Sequence, residues 1–181
     1  MTKLHEVLRN HLNLLEKWRK SMDLVGPGPI LPHQIDAIGA VTALQATGDW
    51  ADLGSGAGFP GIAFAFTHPN ATITLVESRQ KRAAFLEKAV DETGLSNAKV
   101  FHGRVESLAD HQFDGVISRA YRPPLQVIED ADRLLKHGGQ LVVMVGSDSA
   151  FTPPTGWTIR EDHRYAVGDG FRRRLVLVRV Q

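Results

Sequence analysis

The sequence predicts an α/β fold built on a mostly parallel, Rossmann-like sheet. Strand-like and helix-like segments alternate from residue 50 to residue 145, and such alternation requires crossover connections between parallel strands. A continuous apolar stretch at residues 140–145 is typical of a strand that is buried on both faces of a sheet. The first strand of the series runs into a glycine-rich loop, which indicates a ligand site at the carboxyl end of that strand.

Two helices are predicted before the first strand. A helix over residues 3–22 is predicted by apolar residues at steps of three or four, namely Leu4, Val7, Leu8, Leu12, Leu15, Trp18 and Met22. A loop rich in Pro and Gly follows, and a second helix is predicted over residues 32–45 with a proline in its first turn. We therefore expect residues 1–47 to form an N-terminal helical cap within a single domain of residues 1–181.

The segments after the cap complete a seven-stranded sheet. Strands are predicted over residues 50–53, 71–77, 98–102, 113–118 and 140–145, and helices over residues 61–66, 79–93 and 125–135. Gly94 is the predicted stop of the second of these helices, and residues 136–139, with two glycines, are predicted to form a turn. Strand-like stretches at residues 158–160 and 175–180, joined through Gly168 and Gly170, predict an antiparallel hairpin at the sheet edge.

The composition excludes several kinds of chemistry. The 181 residues include no Cys, which excludes disulfides, thiolate metal sites and a cysteine nucleophile. The eight His residues show no metal-ligand spacing, so no metal is predicted. The charged N-terminus and the lack of a long apolar stretch predict a cytoplasmic protein that does not span a membrane. A monomer is expected.

The charge balance leaves the partner open. A net charge of +1 is too small to indicate a nucleic-acid partner by itself. Of the 21 basic residues, 14 are Arg, the residue better suited to phosphate contacts and base stacking. High genomic G+C content would explain this bias equally well.

The segment DLGSGAGFPG at residues 52–61 carries the strongest functional signal. Its G-x-G-x-x-G string fits a dinucleotide site as well as an S-adenosylmethionine site. Asp52, inside the strand, offers a carboxylate to an ammonium group, and Pro60 lacks the N–H that a pyrophosphate would need. Glu77, at the end of the second strand, suits ribose hydroxyls in either kind of site. Together these residues favour S-adenosylmethionine.

Two later loops extend the predicted pocket. Val105 and Glu106 follow the third strand, where their backbone or the carboxylate can reach an adenine. Arg119 ends the fourth strand, and parallel α/β sheets bind ligands outside the carboxyl ends of their strands. We therefore expect Arg119 to face the methyl group or its acceptor, the alternative being a surface salt bridge.

Four segments together resemble the RsmG family, which is also called glucose-inhibited division protein B. They are residues 52–61, residues 77–82 with Phe85 and Leu86, the tripeptide Arg104-Val105-Glu106, and residues 113–120 with the sequence FDGVISRA. The resemblance extends over about residues 12–146 and includes His33 and Asp36. It implies a class I S-adenosylmethionine-dependent methyltransferase fold and methylation of a guanine at N7 in 16S ribosomal RNA of the bacterial small subunit.

The resemblance also implies positions for the cofactor. By motif position it assigns to the cofactor Gly54, Phe59, Val105, Glu106 and Arg119. The physical argument above adds to the same pocket Asp52, Gly56 and Glu77.

The RNA side of the predicted site consists of basic residues. Contacts with the RNA are expected from His33, Arg122, Arg172, Arg173 and Arg174, with a solvated strand or turn as the alternative for the run at 172–174. Because N7 of guanine already carries an exposed lone pair, no general base is expected. Arg119 is expected to orient the guanine.

Two other functions stay open. Where the family usually has Lys before the Gly that ends the fifth strand, this chain has Val145. A cofactor-binding module that has lost activity is therefore one alternative. A methyltransferase that acts on a small molecule or a protein is the other.

Overall fold

The computed structural model describes residues 3–19, 21–108 and 111–180 and contains one seven-stranded sheet. Its strands are β1 (Gly48–Leu53), β2 (Ala71–Glu77), β3 (Ala98–His102), β4 (Phe113–Arg119), β5 (Leu135–Gly146), β6 (Trp157–Val167) and β7 (Gly170–Arg179). Their order across the sheet is β3-β2-β1-β4-β5-β7-β6. The first five strands are parallel, and β7 is antiparallel to both β5 and β6. The predicted Rossmann-like sheet with a C-terminal antiparallel hairpin is confirmed.

Helices cover both faces of this sheet. In the described part of the chain they are α1 (Lys3–Trp18), α2 (Leu31–Thr42), α3 (Gly61–Thr67), α4 (Gln80–Thr93) and α5 (Pro124–Leu134), with a short 3-10 helix at Val105–Leu108. Successive β1 side chains point to opposite faces: Trp50 packs in the cluster formed with α1 to α4, whereas Ala51 and Leu53 pack in the cluster that contains α5. Asp52 shares the face of Trp50.

The order of the strands determines where a ligand can bind. β1 pairs with β2 on one side and with β4 on the other. The chain therefore runs outward from β1 to β3 and then returns to the opposite side of β1. Such a reversal leaves a crevice at the carboxyl ends of the central strands, which is where open α/β sheets bind ligands.

The two N-terminal helices pack against the later helices and against the C-terminal hairpin. α1 contacts α4, and α2 contacts α3 and β6. The first helix ends at Trp18 rather than at residue 22, and the Trp18 carbonyl accepts from the Ser21 hydroxyl and from the N–H groups of Ser21 and Met22. α2 ends at Thr42 rather than at residue 45. Among the described helices, none has both the length and the apolar character needed to cross a bilayer.

One predicted turn is wrong. Residues 136–139 belong to β5, which begins at Leu135 and pairs with β4 at both ends of this segment. The register shifts between the Phe113 and Gly115 pairs, and Gly138 has a φ of 77°. The two glycines therefore accommodate an irregularity within one strand rather than a reversal of the chain.

Candidate active site

The glycine-rich loop connects β1 to α3. Gly54, Gly56 and Gly58 have φ values of 71°, 51° and 85°, a region that side chains with a Cβ disfavour. The N–H groups of Gly54 and Ser55 both donate to the Val76 carbonyl at 3.0 Å. These bonds hold the start of the loop against the end of β2.

Asp52 is fully buried beneath this loop. Its Oδ2 accepts a hydrogen bond from the N–H of Gly61, the first residue of α3, at 3.0 Å. Its Oδ1 is also buried and accepts no hydrogen bond from the described residues. Burial raises the pKa of Asp52 to about 7, because desolvation disfavours the charged carboxylate.

Glu77 is buried at the end of β2 and braces the loop from the side. Its Oε2 accepts from the Gly56 N–H at 3.2 Å, and its Oε1 accepts from the Arg79 N–H at 2.8 Å. The carboxylate therefore fixes the glycine loop and the turn after β2 relative to each other. Each oxygen has a second lone pair for a ligand hydroxyl.

A cavity of about 280 Å³ opens where these segments meet, at the carboxyl ends of β1 to β4. Its walls are formed by Gly54, Val76, Glu77, Ser78, Arg79, Arg82, Gly103, Arg104, Val105, Glu106, Ala120, Tyr121 and Arg122. The structure thus brings together four residues predicted for the cofactor, namely Gly54, Glu77, Val105 and Glu106. Asp52 and Gly56 lie directly behind this wall, bonded to Gly61 and Glu77 respectively.

Arg122, which was predicted to contact phosphate, lines this cavity and is paired with two carboxylates. Its Nη2 donates to Glu106 at 3.2 Å and its Nη1 to Asp130 at 3.0 Å. Its guanidinium lies 4.8 Å from the centre of the Tyr121 ring. The backbone N–H of Glu106 and the Arg122 guanidinium lower the pKa of the Glu106 carboxyl. Arg122 thereby ties the loop after β3 to α5.

Arg119 belongs to a second group of predicted residues, on the α2 side of the loop. Its guanidinium lies 5.0 Å from the centre of the Phe59 ring, and the His33 ring stacks on the same ring at 6.4 Å. Arg119 donates to the His33 carbonyl at 3.4 Å and to Asp36 at 3.3 Å. Burial, followed by the charge of Arg119, lowers the pKa of His33, so this imidazole is neutral near pH 7.

The C-terminal arginine run divides into three different environments. Arg172 is exposed. Arg173 donates through Nε and Nη2 to Asp162, both at 2.6 Å. Arg174 is fully buried and donates to Glu161 and to the Ala40 carbonyl. The prediction that Arg174 contacts RNA phosphate is wrong, because α2 packs over this part of β7 and its Ala40 carbonyl accepts from Arg174.

A second cavity, of about 390 Å³, adjoins the first and shares Ala120 and Arg122 with it. Its remaining walls are mainly apolar and are formed by Ser118, Pro124, Val127, Val143, Met144, Val145, Gly146, Ser149, Ala150 and Phe151. Val145, which replaces the Lys usual in the resembled family, lines this second cavity and not the first.

Several residues of the site were not predicted from the sequence. Arg79, Arg82 and Arg104 line the first cavity. The signal for Arg79 and Arg104 is their position just after β2 and β3, whereas Arg82 lies in the first turn of α4. His11 from α1 contacts the Ala57 carbonyl, and Tyr165 from β6 contacts Asp36. No local motif marks His11 or Tyr165, because their partners are 46 and 129 residues away in the sequence.

The family described as "rRNA small subunit methyltransferase G" matches residues 4–151. The chain belongs to this family. Relatives named ribosomal RNA small subunit methyltransferase G include those of Azoarcus sp. strain BH72, with 37% identity over 92% of this chain and 83% of the relative, and of Xanthomonas axonopodis pv. citri, with 36% identity over 95% and 85%. The predicted family and the prediction of a ribosomal RNA methyltransferase are confirmed.

Solved structures support the same fold. A mutant of MtNAS in complex with S-adenosylmethionine has a TM-score of 0.66 and 12% identity, covering 97% of this chain and 72% of that chain. A precorrin-6y C5,15-methyltransferase from Geobacter metallireducens GS-15 has a TM-score of 0.57 and 18% identity, covering 80% and 85%. These likenesses confirm the class I methyltransferase fold of this small subunit methyltransferase G family member.

Proposed function

We propose that this protein transfers the methyl group of S-adenosylmethionine to N7 of a guanine in 16S ribosomal RNA of the small subunit. The observation that carries the proposal is the first cavity, where Glu77 and the glycine loop adjoin a wall containing Arg79, Arg82 and Arg104. This combination offers acceptors for a nucleoside and cations for a polyanion. The RNA target rests on the names of the family and its relatives together with this wall.

The residues present fit S-adenosylmethionine. The ammonium of its methionine part would supply the donor that Oδ1 of Asp52 lacks. The ribose hydroxyls would be held by Glu77, and the adenine by Val105 and Glu106. A Cβ at Gly54 would collide with the Tyr121 ring, so this glycine lets an aromatic wall of the first cavity lie against the loop backbone.

The start of α3 fits a pyrophosphate poorly, which disfavours a dinucleotide. Pro60 has no N–H, the Gly61 N–H is bonded to Asp52, and the Ile62 N–H is bonded to the Gly58 carbonyl. The first donors of the helix are therefore absent or already used. A sulfonium ligand without phosphates needs none of them.

The arginines of the first cavity favour RNA over a small neutral acceptor. Arg79 and Arg104 are exposed at the wall of the first cavity. Arg172 is also exposed, and its charge lowers the pKa of His33 after the larger effects of burial, Arg119 and Asp36. Cationic groups therefore lie on both sides of the glycine loop. An RNA backbone could follow them across the site.

The second cavity is the proposed position of the acceptor guanine. Its volume of about 390 Å³ falls within the range of about 300–1,000 Å³ that is usual for small-ligand pockets. Apolar walls such as Phe151 and Val145 suit the faces of a base taken out of its stack, and Ser149 and Arg122 offer polar edges. The wall that it shares with the first cavity would put acceptor and donor side by side.

Methyl transfer to N7 of guanine requires the side chains chiefly to orient the two reactants. S-adenosylmethionine supplies an electrophilic methyl group on its sulfonium. The N7 lone pair of guanine requires no prior deprotonation, so the residues of this chain need to bind, align and exclude water. Arg119 lines neither cavity, but its guanidinium lies beside Phe59 of the glycine loop and retains donors for a ligand. It is therefore the proposed orienting residue on the loop side of the reacting groups.

The decisive experiment is methyl transfer to small-subunit particles and to naked 16S RNA, both from a strain that lacks the modification. We expect labelled methyl from S-adenosylmethionine in one guanine, with mass mapping and base-specific cleavage reporting N7. Tight cofactor binding by calorimetry without incorporation into either RNA would contradict the proposal. Incorporation at another atom would retain the cofactor and overturn the N7 assignment.

Four further expectations belong to the same proposal. The protein would act as a monomer of one domain, with residues 1–47 as its cap, in the cytoplasm. It would use no metal for catalysis, so a chelator should leave methylation of naked RNA unchanged. A sedimentation measurement on the purified chain tests the monomer.

A further inference from the structure

Arg119 is held by two elements that are remote from it in sequence. Its Nη1 donates to Oδ2 of Asp36, on α2, at 3.3 Å, and Oδ1 of the same carboxylate accepts from the Tyr165 hydroxyl, on β6, at 2.9 Å. The Arg119 and Asp36 side chains are only 18% and 13% exposed. One carboxylate thus joins the N-terminal cap, the C-terminal hairpin and the end of β4.

The Tyr165 ring fits closely against α2. A Cβ at Gly39 would collide with Cδ2 of the ring, so the helix backbone itself forms the seat of the ring. Gly39 follows Asp36 by three residues and therefore lies on the same helical face. α2 provides both the seat for the ring and the acceptor for its hydroxyl.

The charges of the group favour a fixed arrangement. Burial, with the nearby Asp36 carboxylate, raises the pKa of Tyr165, so the hydroxyl stays protonated and donates. Asp36 then receives one neutral and one cationic donor on its two oxygens. Among the described residues, Arg119 donates from Nη1, to the His33 carbonyl and to Asp36, which leaves Nη2 and Nε for a ligand.

We propose that Asp36 and Tyr165 are positioning residues that hold Arg119 in its working orientation. This inference rests on the proposed function, in which Arg119 is the orienting residue beside the glycine loop. It assigns a role in the active site to the C-terminal hairpin, which lies beyond residues 4–151 matched by the family. Arg119, Asp36 and Tyr165 all lie outside the walls of the two cavities. Tyr165 is bonded to Asp36 and Asp36 to Arg119, so both positioning residues act through Arg119, which adjoins the glycine loop.

A double-mutant cycle tests the inference with purified protein and 16S RNA. Asp36→Asn should lower kcat/KM by about 10- to 100-fold, since a shift of about 1 Å in an orienting group can cost about 100-fold. Tyr165→Phe should have a smaller effect in the same direction, and Asp36→Glu should recover part of the loss. In an Arg119→Ala background, Asp36→Asn should change kcat/KM by less than about twofold.

The control is Asp132→Asn, which breaks the Arg179–Asp132 ion pair at the far end of β7 and should leave kcat/KM unchanged. Thermal unfolding of every variant reports whether the fold is retained. If the fold-losses in kcat/KM of Asp36→Asn and Arg119→Ala multiply in the double variant, the two residues act independently. That result would overturn the positioning role and leave the proposed methyltransferase activity intact. An inactive wild-type protein, or a fully active Arg119→Ala variant, would instead contradict the proposed function on which the inference rests.

Discussion

Nε2 of His11 lies 2.8 Å from the carbonyl oxygen of Ala57 and forms a hydrogen bond between the first helix and the glycine-rich loop. The imidazole is 1% exposed and its centre is 4.9 Å from that of the Phe59 ring. On the other side of the loop, Asp52 holds the Gly61 N–H. Two buried titratable side chains, His11 of α1 and Asp52 of β1, therefore form hydrogen bonds with the same loop.

His11 should make folding sensitive to acid. Burial lowers its pKa to about 4, so between pH 6.5 and pH 4 the unfolded chain binds a proton that the folded chain does not. The contribution of neutral His11 to the free energy of unfolding is therefore complete above pH 6.5. It decreases as the pH falls, by about 2 kcal/mol between pH 7 and pH 5. Urea unfolding of wild type and His11→Gln at both pH values measures the difference. Equal pH dependence in the two proteins would contradict the assignment of this histidine.

Asp52 should act in the opposite direction. Its pKa of about 7 means that the folded chain holds a proton that the unfolded chain releases near pH 4. Its contribution is therefore complete at low pH and decreases as the pH rises toward 7, by about 2 kcal/mol between pH 5 and pH 7. Asn does not titrate, so the free energy of unfolding of Asp52→Asn should not show this loss. In urea unfolding without ligand, the variant should gain about 2 kcal/mol relative to wild type between pH 5 and pH 7.

The same Asp52→Asn variant should bind S-adenosylmethionine about 10- to 100-fold more weakly, because a hydrogen bond to a charged group contributes about 1.5–3 kcal/mol. Higher stability with lower affinity separates a ligand-binding carboxylate from a structural one. Calorimetry at pH 8 measures the affinity. Unchanged affinity would show that the ammonium contacts another group.

Glu77→Gln should also weaken cofactor binding. The substitution keeps the size of the side chain but removes the negative charge and puts an NH₂ against the Gly56 or Arg79 N–H. We expect a loss of about 10- to 100-fold in affinity for S-adenosylmethionine, measured by calorimetry. Glu87→Gln, at an exposed position of α4, is the matched control and should bind like wild type.

Local patterns were sufficient for most elements but not for the arginine run. The structure has β2 at the residues that the Val, Ile and Thr pattern predicts, and α4 ends at Gly94 in a left-handed conformation as expected. The last strand was predicted only from residue 175, whereas β7 begins at Gly170. Alternation along β7 puts Arg172 and Arg174 on one face, yet only Arg174 is buried, because α2 covers it and the Ala40 carbonyl accepts from it. The sequence of the strand does not specify that packing.

The site contacts that the sequence did not predict are those between residues far apart in the chain. Asp52 and Glu77 could be placed because the ends of neighbouring parallel strands meet at one edge of the sheet. The pair Arg119 and Asp36 is separated by 83 residues, and nothing in either segment specifies the packing of α2 against β6. The motif therefore predicted Arg119 as a site residue without predicting what holds it.

Arg104 should contribute to RNA affinity through charge alone. It is exposed at the first cavity, where a phosphate contact would release counterions. Arg104→Ala should weaken RNA binding and reduce the slope of log K against log salt by about 0.7–0.9. Filter binding across a salt series measures the slope. Arg160→Ala, which removes an exposed arginine bonded to Gln140 away from the cavity, should leave the slope unchanged.

Phe151 should matter for the acceptor and not for the cofactor. Its side chain is half-buried and lines the second cavity, away from the wall that carries Glu77. If the guanine binds there, Phe151→Ala removes an aromatic or apolar contact with the base, which is worth about 1–3 kcal/mol. We expect kcat/KM for RNA to fall by about 5- to 100-fold, while the Kd for S-adenosylmethionine stays within about twofold.

Phe171→Ala is the matched control for this variant, because it removes a ring that is 55% exposed on β7 and contacts Arg164. It should change neither the RNA kinetics nor the cofactor affinity. An equal loss of RNA turnover in both variants would indicate a general effect of aromatic surface on RNA binding. A loss of cofactor affinity in Phe151→Ala would mean that the two cavities act as one site. Either result would remove the guanine from the second cavity, since that position requires acceptor binding to fail while donor binding persists.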